Sequence, residues 1–286
     1  MERLNKMSQK KRIAELKLAA ARCRVNILRC IRAGGHGHIG GAFSAIDVVT
    51  ALYFDKMNIN PADHKNENRD RFLLSAGHKC LCQYEVLAER GYFDKTILDT
   101  YGALETRMPG HSNMRELPGI EANTGALGHG MSIANGMAIA AKLSNKNFRV
   151  YAITGDGELP EGANWEAATA ASKFSLDNLT IFVDNNGLQI SGKVTDVMSM
   201  ESVEDKFRSF GWSVVTIDGN DIEEFDPRKT FGKTVTELAE SNEPMSKSYV
   251  ENDVGILEKA SFTSLRSVSI FRWNSSKRIF GRDWRL

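Results

Sequence analysis

The sequence predicts a three-layer α/β domain built on a mainly parallel sheet. Three apolar runs carry this prediction, at residues 148–154 (FRVYAIT), 179–184 (LTIFVD) and 213–217 (SVVTI). Helical patterns separate the runs, and apolar strands that alternate with helices are typical of a parallel sheet covered on both faces. In such sheets, ligands bind beyond the carboxyl ends of the strands. A functional site is therefore expected at that edge.

The remaining elements follow in order along the chain. They are helices at residues 7–32, 44–53, 131–141 and 162–174, a strand at residues 71–75 and a Gly-rich loop at residues 109–130. The first helix is indicated by apolar residues at steps of three and four, and it ends at Gly34 and Gly35. Ser44 is the expected N-cap of the second helix because serine readily accepts a backbone hydrogen bond there.

The composition excludes several classes of protein. With 286 residues, 42% of them apolar and 26% charged, the chain fits a globular protein of one large domain or two small ones. A net charge of +1 gives no reason to expect nucleic acid or a membrane as a partner. The sequence contains no long apolar run and no signal-peptide pattern, so a cytoplasmic location is expected. The four cysteines are too sparse for a disulfide scaffold and lack zinc-site spacing.

The character of the chain changes after residue 222. Residues 223–286 lack a strong buried strand, and from Lys259 onward they hold seven basic residues and one acidic residue. The apolar segment at residues 268–273 (VSIFRW) has no obvious place in the sheet. We therefore separate a domain at residues 1–222 from a C-terminal segment at residues 223–286, which we expect to pack less well and to be partly disordered.

Asp156 is the first candidate for a ligand site. It follows a predicted strand and lies between Gly155 and Gly157, where the backbone can approach a ligand closely. Asn186 follows the next predicted strand, within residues 183–187 (VDNNG), so both side chains can converge on one point. A carboxylate, an amide oxygen and a backbone carbonyl suit Mg2+ that phosphate oxygens also hold. Taken alone, the Gly-Asp-Gly segment could be a simple turn. Its combination with Asn186 at this spacing favours the interpretation as a metal site.

These two segments resemble the motif with which thiamine-diphosphate enzymes bind the diphosphate of their cofactor through Mg2+. By that resemblance, Asp156 and Asn186 are ligands of Mg2+ or Ca2+, and Leu188 offers its backbone carbonyl. Further matches are similar to transketolase, at residues 37–41 (GHIGG), 71–78 (RFLLSAGH), 109–111 (PGH), 118–130 (PGIEANTGALGHG) and 155–162 (GDGELPEG). They lie in family order within residues 12–222. Residues 1–222 therefore resemble the thiamine-diphosphate-binding domain of that family.

The resemblance also implies roles for individual residues. The implied catalytic set is His38, His78, His111 and Glu161. The implied cofactor-binding set is His78, Gly125, Leu127, Gly155, Asp156, Gly157, Glu158 and Asn186. His38 and His111 would contact the sugar and move protons, which suits imidazole at neutral pH, and Glu161 would join a carboxylate network that crosses to a partner. For each histidine, a helix cap or turn role is the simpler alternative, and for His64 a surface position without a role in the site is favoured. The claim of His129 is also weaker than that of the matched histidines.

The resemblance finally implies a second polypeptide. The family's activating glutamate comes from a pyrimidine-binding domain that this sequence lacks, and transketolase also occurs as two separate chains. The expected protein is the N-terminal subunit of such a pair, in a heterotetramer with a C-terminal subunit. With thiamine diphosphate, it would transfer a two-carbon ketol unit between a ketose phosphate and an aldose phosphate.

Two alternatives remain beside this expectation. A 1-deoxy-xylulose-5-phosphate synthase shares the domain order in a longer chain. A non-catalytic subunit that only binds cofactor or partner is favoured by the altered tail. There, residues 248–255 (SYVENDVG) resemble the lead-in to the family's Trp-His-Gly turn, but residues 256–258 (ILE) replace the turn itself.

Overall fold

The computed structural model describes residues 2–190, 192–225 and 267–273. Its helices are α1 (Glu2–Gly34), α2 (Ile39–Ala51), α3 (Cys80–Arg90), α4 (Gly130–Leu143), α5 (Gly162–Lys173), α6 (Val194–Met198) and α7 (Val203–Ser209). Its strands are β1 (Arg71–Leu74), β2 (Val150–Gly155), β3 (Leu179–Asn185), β4 (Leu188–Gln189), β5 (Gly192–Lys193), β6 (Trp212–Ile217) and β7 (Ser267–Trp273). Short turns of other helical types lie at Leu52–Lys56, Pro61–Asp63, Gly77–Lys79, Lys95–Thr100 and Asp156–Glu158.

The main sheet has the strand order β1-β2-β3-β7-β6. Strands β1, β2 and β3 pair in parallel, and β7 is antiparallel to both β3 and β6, so β6 runs in the same direction as the first three strands. The register of β2 and β3 ends with Gly155 opposite Asp184. A separate small hairpin joins β4 to β5. The predicted α/β class with a mainly parallel sheet is confirmed.

The neighbours of β3 and β6 differ from the sequence expectation. The backbone of the VSIFRW segment forms most of β7, and it lies between these two strands, with Phe182 and Val215 both opposite Ile270. The sequence suggested no place for this segment, because the pairing joins positions that are distant along the chain. Residues 226–266 and 274–286, including residues 248–258, lie outside the described residues. The expectation of loose packing in residues 223–286 therefore stays a prediction.

Alternate residues of each strand supply two cores on opposite faces of the sheet. On β2, Tyr151 and Ile153 belong to the core that α1, α2 and α3 cover. Val150 and Ala152 belong to the core beneath α4, α5 and α7. This alternation follows from the two-residue period of a strand. It gives the three layers that the sequence predicts, and it explains why β2 is apolar throughout.

The start of α2 differs from the prediction. The helix begins at Ile39 with His38 in the N-cap position, and no side chain caps it. Ser44 lies inside the helix, is buried, and donates its hydroxyl hydrogen bond to Asp184 on β3. The Ser44 N-cap was therefore wrong, because a tertiary partner uses the hydroxyl that local sequence assigns to a backbone cap.

The four cysteines lie in the interior of the protein. Cys23, Cys30, Cys80 and Cys82 are all buried and free. Within the described residues, no group of three or more His, Cys, Asp or Glu side chains could hold a metal ion. Among the helices of those same residues, none is long and apolar enough to cross a membrane.

Candidate active site

The candidate site lies at the carboxyl edge of the parallel strands. β1 leads into the Gly77–Lys79 turn, which contains His78. β2 leads into the Asp156–Glu158 turn, and β3 ends one residue before Asn186. Because parallel strands bring their carboxyl ends to one edge, residues that are far apart in sequence meet here.

The Glu158 carboxylate joins three segments of this edge. It accepts hydrogen bonds from Ser75 Oγ at 2.5 Å and Thr154 Oγ1 at 2.8 Å. It also accepts them from the backbone N–H groups of Gly128 at 2.8 Å and Gly155 at 3.2 Å. The residue is 2% exposed, and both of its carboxylate oxygens are occupied by protein donors. Glu158 therefore fixes the ends of β1 and β2 against the Gly-rich loop, and its contact with a cofactor stays a prediction.

Asp156 is held beside the segment that follows β3. Its Oδ1 accepts the N–H of Gly157 at 2.8 Å, and its Oδ2 accepts the N–H of Gly187 at 2.6 Å. Burial raises the pKa of Asp156 to about 6, although these two hydrogen bonds oppose the change. A carboxylate has about four lone-pair sites, so the anionic form keeps room to bind a cation.

Asn186 precedes Gly187 and therefore lies close to Asp156, which accepts the N–H of that glycine. Its Oδ1 accepts the N–H of Leu188 at 2.9 Å, which leaves one lone pair of the amide oxygen free for a cation. Leu188 begins the β4–β5 hairpin and is exposed. Since the described residues contain no cluster of three acidic, His or Cys side chains suited to a metal, a cation here would need amide, carbonyl and ligand oxygens. The donor set fits Mg2+ or Ca2+.

A second buried group, which sequence analysis missed, lies below Asp156. Asp184 accepts a hydrogen bond from Ser44 Oγ at 2.5 Å and forms a salt bridge with Lys79 Nζ. Lys79 and Asp184 are each less than 5% exposed. Burial alone would lower the pKa of Lys79, but the attraction and hydrogen bond of Asp184 outweigh it and raise that pKa. The available signal was a charged residue at the end of an apolar strand.

The histidines of the matched segments gather at the same edge. The rings of His38 and His78 lie 5.1 Å apart between centroids. His111 packs on Gly125, since a Cβ added to that glycine would lie 2.7 Å from His111 Cδ2. Burial, the charge of Lys79 and the nearby histidines lower the pKa of His78 to about 4. Partial burial and then His111 lower the pKa of His38.

The lowered pKa values of His38 and His78 have a chemical consequence. At neutral pH, His38 and His78 are neutral imidazoles, and each can accept a proton or hydrogen bond at one nitrogen and donate one at the other. His36, which had no assigned role, lies beside Tyr101 with Nδ1 3.4 Å from the phenolic oxygen. His64 caps the Pro61–Asp63 turn near the amino end of β1, away from the site.

The Gly-rich loop supplies the remaining predicted residues. Gly125 has a φ of +133° and its N–H packs against Gly77, where an added Cβ would lie 2.7 Å from it. Leu127 is half-buried, and its carbonyl lies 3.2 Å from His129 Nδ1. Glu161 is exposed and occupies the N-cap position of α5 without a side-chain cap. An exposed carboxylate can reach a partner, so its predicted network remains untested.

The carboxyl edge thus brings together a Gly-Asp-Gly turn, the Asn186 loop and the matched histidines, at the place where α/β domains bind their ligands. The family described as "Transketolase, thiamine diphosphate binding domain" matches residues 16–236. The chain belongs to this family.

Similar proteins agree with that assignment. The chain is 42% identical over 212 residues to one subunit of the apulose-4-phosphate transketolase of Phocaeicola vulgatus, and the match covers 74% of this chain and 75% of that protein. It is 44% identical over 190 residues to 6-deoxy-6-sulfo-D-fructose transketolase subunit SqwG of a Clostridium species, covering 66% and 69% respectively. The solved transketolase of Campylobacter jejuni matches with a TM-score of 0.72 and 30% identity, over 77% of this chain and 36% of that one. The chain thus spans about a third of the solved transketolase chains it matches.

Glu158→Gln should destabilise the protein. The amide replaces one accepting oxygen by an NH2 donor, so hydroxyl and backbone N–H donors on that side lose their acceptor. The expected loss in free energy of unfolding is about 1–3 kcal/mol. Denaturant unfolding of the full chain measures this. The matched control is Glu161→Gln, an exposed position at which we expect a change within about 0.5 kcal/mol. Equal effects of the two substitutions would contradict the assigned role of Glu158.

Proposed function

We propose that this chain is the N-terminal, diphosphate-binding subunit of a two-chain transketolase. It would transfer a two-carbon ketol unit from a ketose phosphate to an aldose phosphate. The observation that carries the proposal is the convergence of Asp156, the Asn186 loop and three histidines on one carboxyl edge. Membership of the family supports it, as do relatives that are themselves named as single subunits of transketolases.

The residues of the edge divide between the metal and the diphosphate. Asp156, Asn186 and the Leu188 carbonyl would hold Mg2+ or Ca2+. The diphosphate and the rings of the cofactor would be held by the backbone around Gly155 and Gly157, by His78 and by the Gly125–Leu127 stretch of the loop. When bound, thiamine diphosphate supplies the electron sink for cleaving and forming the carbon–carbon bond. The task of this chain is then to orient, to exclude water and to move protons.

His38 and His111 are suited to the proton steps at the sugar. Their rings lie beside His78 and Gly125 on the open side of the edge. A neutral imidazole at His38 can take a proton from a sugar hydroxyl and return one to a developing alkoxide. The lowered pKa values of His38 and His78 keep both rings available in that neutral form.

A partner would complete the site. Relatives that this chain matches over 75% and 69% of their length are named as single subunits of transketolases, so the pyrimidine-binding half and its activating carboxylate would come from a C-terminal subunit, in a heterotetramer. Sugar phosphates are the proposed substrate class. Relatives of similar identity are named for apulose-4-phosphate and for 6-deoxy-6-sulfo-D-fructose, so a panel of sugars is needed. The cytoplasmic location stays a prediction from sequence.

Ketol transfer should depend on a second polypeptide. We expect negligible turnover from the purified full chain and clear turnover after addition of a C-terminal transketolase subunit, assayed with a panel of ketose and aldose phosphates. Full turnover by the chain alone would end the two-chain proposal. Cofactor binding without turnover, with every partner and sugar, would favour a non-catalytic binding subunit.

Asp156→Ala should abolish metal-dependent cofactor binding in the assembled enzyme. Among the buried carboxylates of the described edge, only that of Asp156 accepts a hydrogen bond from the Asn186 loop, and the substitution removes it. Isothermal titration calorimetry with thiamine diphosphate and Mg2+ measures the effect. Asp99→Ala, at an exposed position in the Lys95–Thr100 turn, is the control and should bind normally. Unchanged affinity of Asp156→Ala would refute the metal assignment.

His38→Ala and His111→Ala should lower turnover more than cofactor affinity. Loss of a group that moves protons typically costs about 10²–10⁴ in rate. Steady-state kinetics of the assembled enzyme and calorimetry with thiamine diphosphate separate the two quantities. His64→Ala, near the amino edge of the sheet, should leave both unchanged. A loss of turnover below about tenfold at both site positions would favour ordinary loop histidines.

A further inference from the structure

We propose that Lys79 supplies the buried positive charge that attracts the cofactor's diphosphate to the carboxyl edge, while its salt bridge keeps Asp184 from competing with Asp156 for the metal. The inference rests on the proposed function and assigns Lys79 as a binding determinant for the cofactor. The head of this lysine lies beside the Gly-Asp-Gly turn rather than in solvent.

The position of the Lys79 head is defined by Asp184 and by the end of β2. Nζ bonds Asp184, which Ser44 Oγ also contacts at 2.5 Å. A Cβ added to Gly155 would lie 3.7 Å from Nζ, so the ammonium group lies directly beside the end of β2, next to Asp156. An ammonium has three donors. Within the part of the chain that the structure describes, Asp184 is the only hydrogen-bond partner of Nζ, and donors remain for an anion.

The stem of Lys79 is confined as well. A Cβ on Gly41 would lie 2.9 Å from Lys79 Cγ and 3.3 Å from its Cε. The first turn of α2 thus packs on the lysine chain only because residue 41 is glycine. Lysine usually extends its head to water. Here the packing of α2 prevents that, and Lys79 is 3% exposed.

The charges of the edge explain why a diphosphate needs this lysine. Buried carboxylates come from Asp156, Glu158 and Asp184, whereas Lys79 is the only buried basic side chain among the described residues. The closest histidines, His38 and His78, have lowered pKa values and carry no charge at neutral pH. Without Lys79, the protein would offer an anionic surface to an anionic ligand, which costs binding energy in a desolvated site.

Asp184 would otherwise be a second metal ligand. It lies opposite Gly155, the residue before Asp156, in the register of β2 and β3. The salt bridge to Lys79 and the Ser44 hydrogen bond occupy one oxygen each of Asp184. Freed from Lys79, Asp184 would add a carboxylate next to Asp156 and increase the affinity for a cation alone.

A purely structural salt bridge is the competing explanation. Burying a pair of charges often gives no net stability over an uncharged pair, and breaking one partner leaves the other uncompensated. Lys79→Met alone therefore cannot distinguish the two roles if the variant unfolds. The double variant Lys79→Met with Asp184→Asn removes both charges, so that no buried charge is left uncompensated, and it tests diphosphate binding directly.

The test compares four full-length chains: wild type, Lys79→Met, the double variant, and Lys142→Met as a control. Lys142 pairs with Asp177 on the surface, far from the edge. Mn2+ alone, followed by electron paramagnetic resonance, reports the metal site. Calorimetry reports the diphosphate site, with thiamine diphosphate and Mg2+ added to each chain after its assembly with the C-terminal partner. Circular dichroism confirms that each chain is folded.

We expect the double variant to bind thiamine diphosphate about tenfold more weakly or worse, and Mn2+ within about twofold of wild type because no extra carboxylate is freed. If folded, Lys79→Met should bind Mn2+ more tightly and the diphosphate more weakly. Wild-type affinity of the double variant for the diphosphate would overturn the inference. Failure of wild type to bind the cofactor would instead refute the proposed function, and the inference with it.

Discussion

Four donors from three separate segments converge on the carboxylate of Glu158, and the geometry of the carboxyl edge depends on that convergence. A buried carboxylate is stable only when protein donors replace its water. Ser75, Thr154 and Gly128 supply them, so the ends of β1 and β2 and the Gly-rich loop are held in one arrangement. Asp156 lies two residues before Glu158, and its position beside Gly187 follows from the same fixed turn. Hydrogen bonds within the chain therefore hold the edge in this arrangement.

Much of this arrangement is readable from sequence because it repeats local patterns. The apolar runs predicted the strands β2 and β3, and the glycines around Asp156 predicted the turn at the end of β2. The approach of Asp156 and Asn186 followed from the parallel direction of two neighbouring strands. These features depend on spacing and periodicity, which a single sequence displays directly.

What the sequence did not show depends on pairs that are distant along the chain. Ser44 was expected to cap a helix, and instead donates to Asp184, 140 residues away. Lys79 forms its salt bridge across 105 residues, and the only local signal of the pair was the charge of Asp184 at the end of an apolar strand. The same holds for β7, whose neighbours β3 and β6 are set by pairing rather than by its own composition. Buried polar groups need hydrogen-bond partners, which is why these contacts form. The partners of such a contact come together only when the chain folds.

The buried pair of Lys79 and Asp184 then poses a question about stability. Desolvating two charges is unfavourable, and apolar side chains of similar size would usually hold the same place as well or better. The pair nevertheless lies at the end of β3, in contact with the turn that carries Asp156, and Gly41 leaves space for it by lacking a side chain. A charge in that place adds little to the core, whereas it changes the field at the open edge. Since a low-dielectric surrounding strengthens that field, the most direct reason for burying a lysine here is the charge of the ligand that the edge receives.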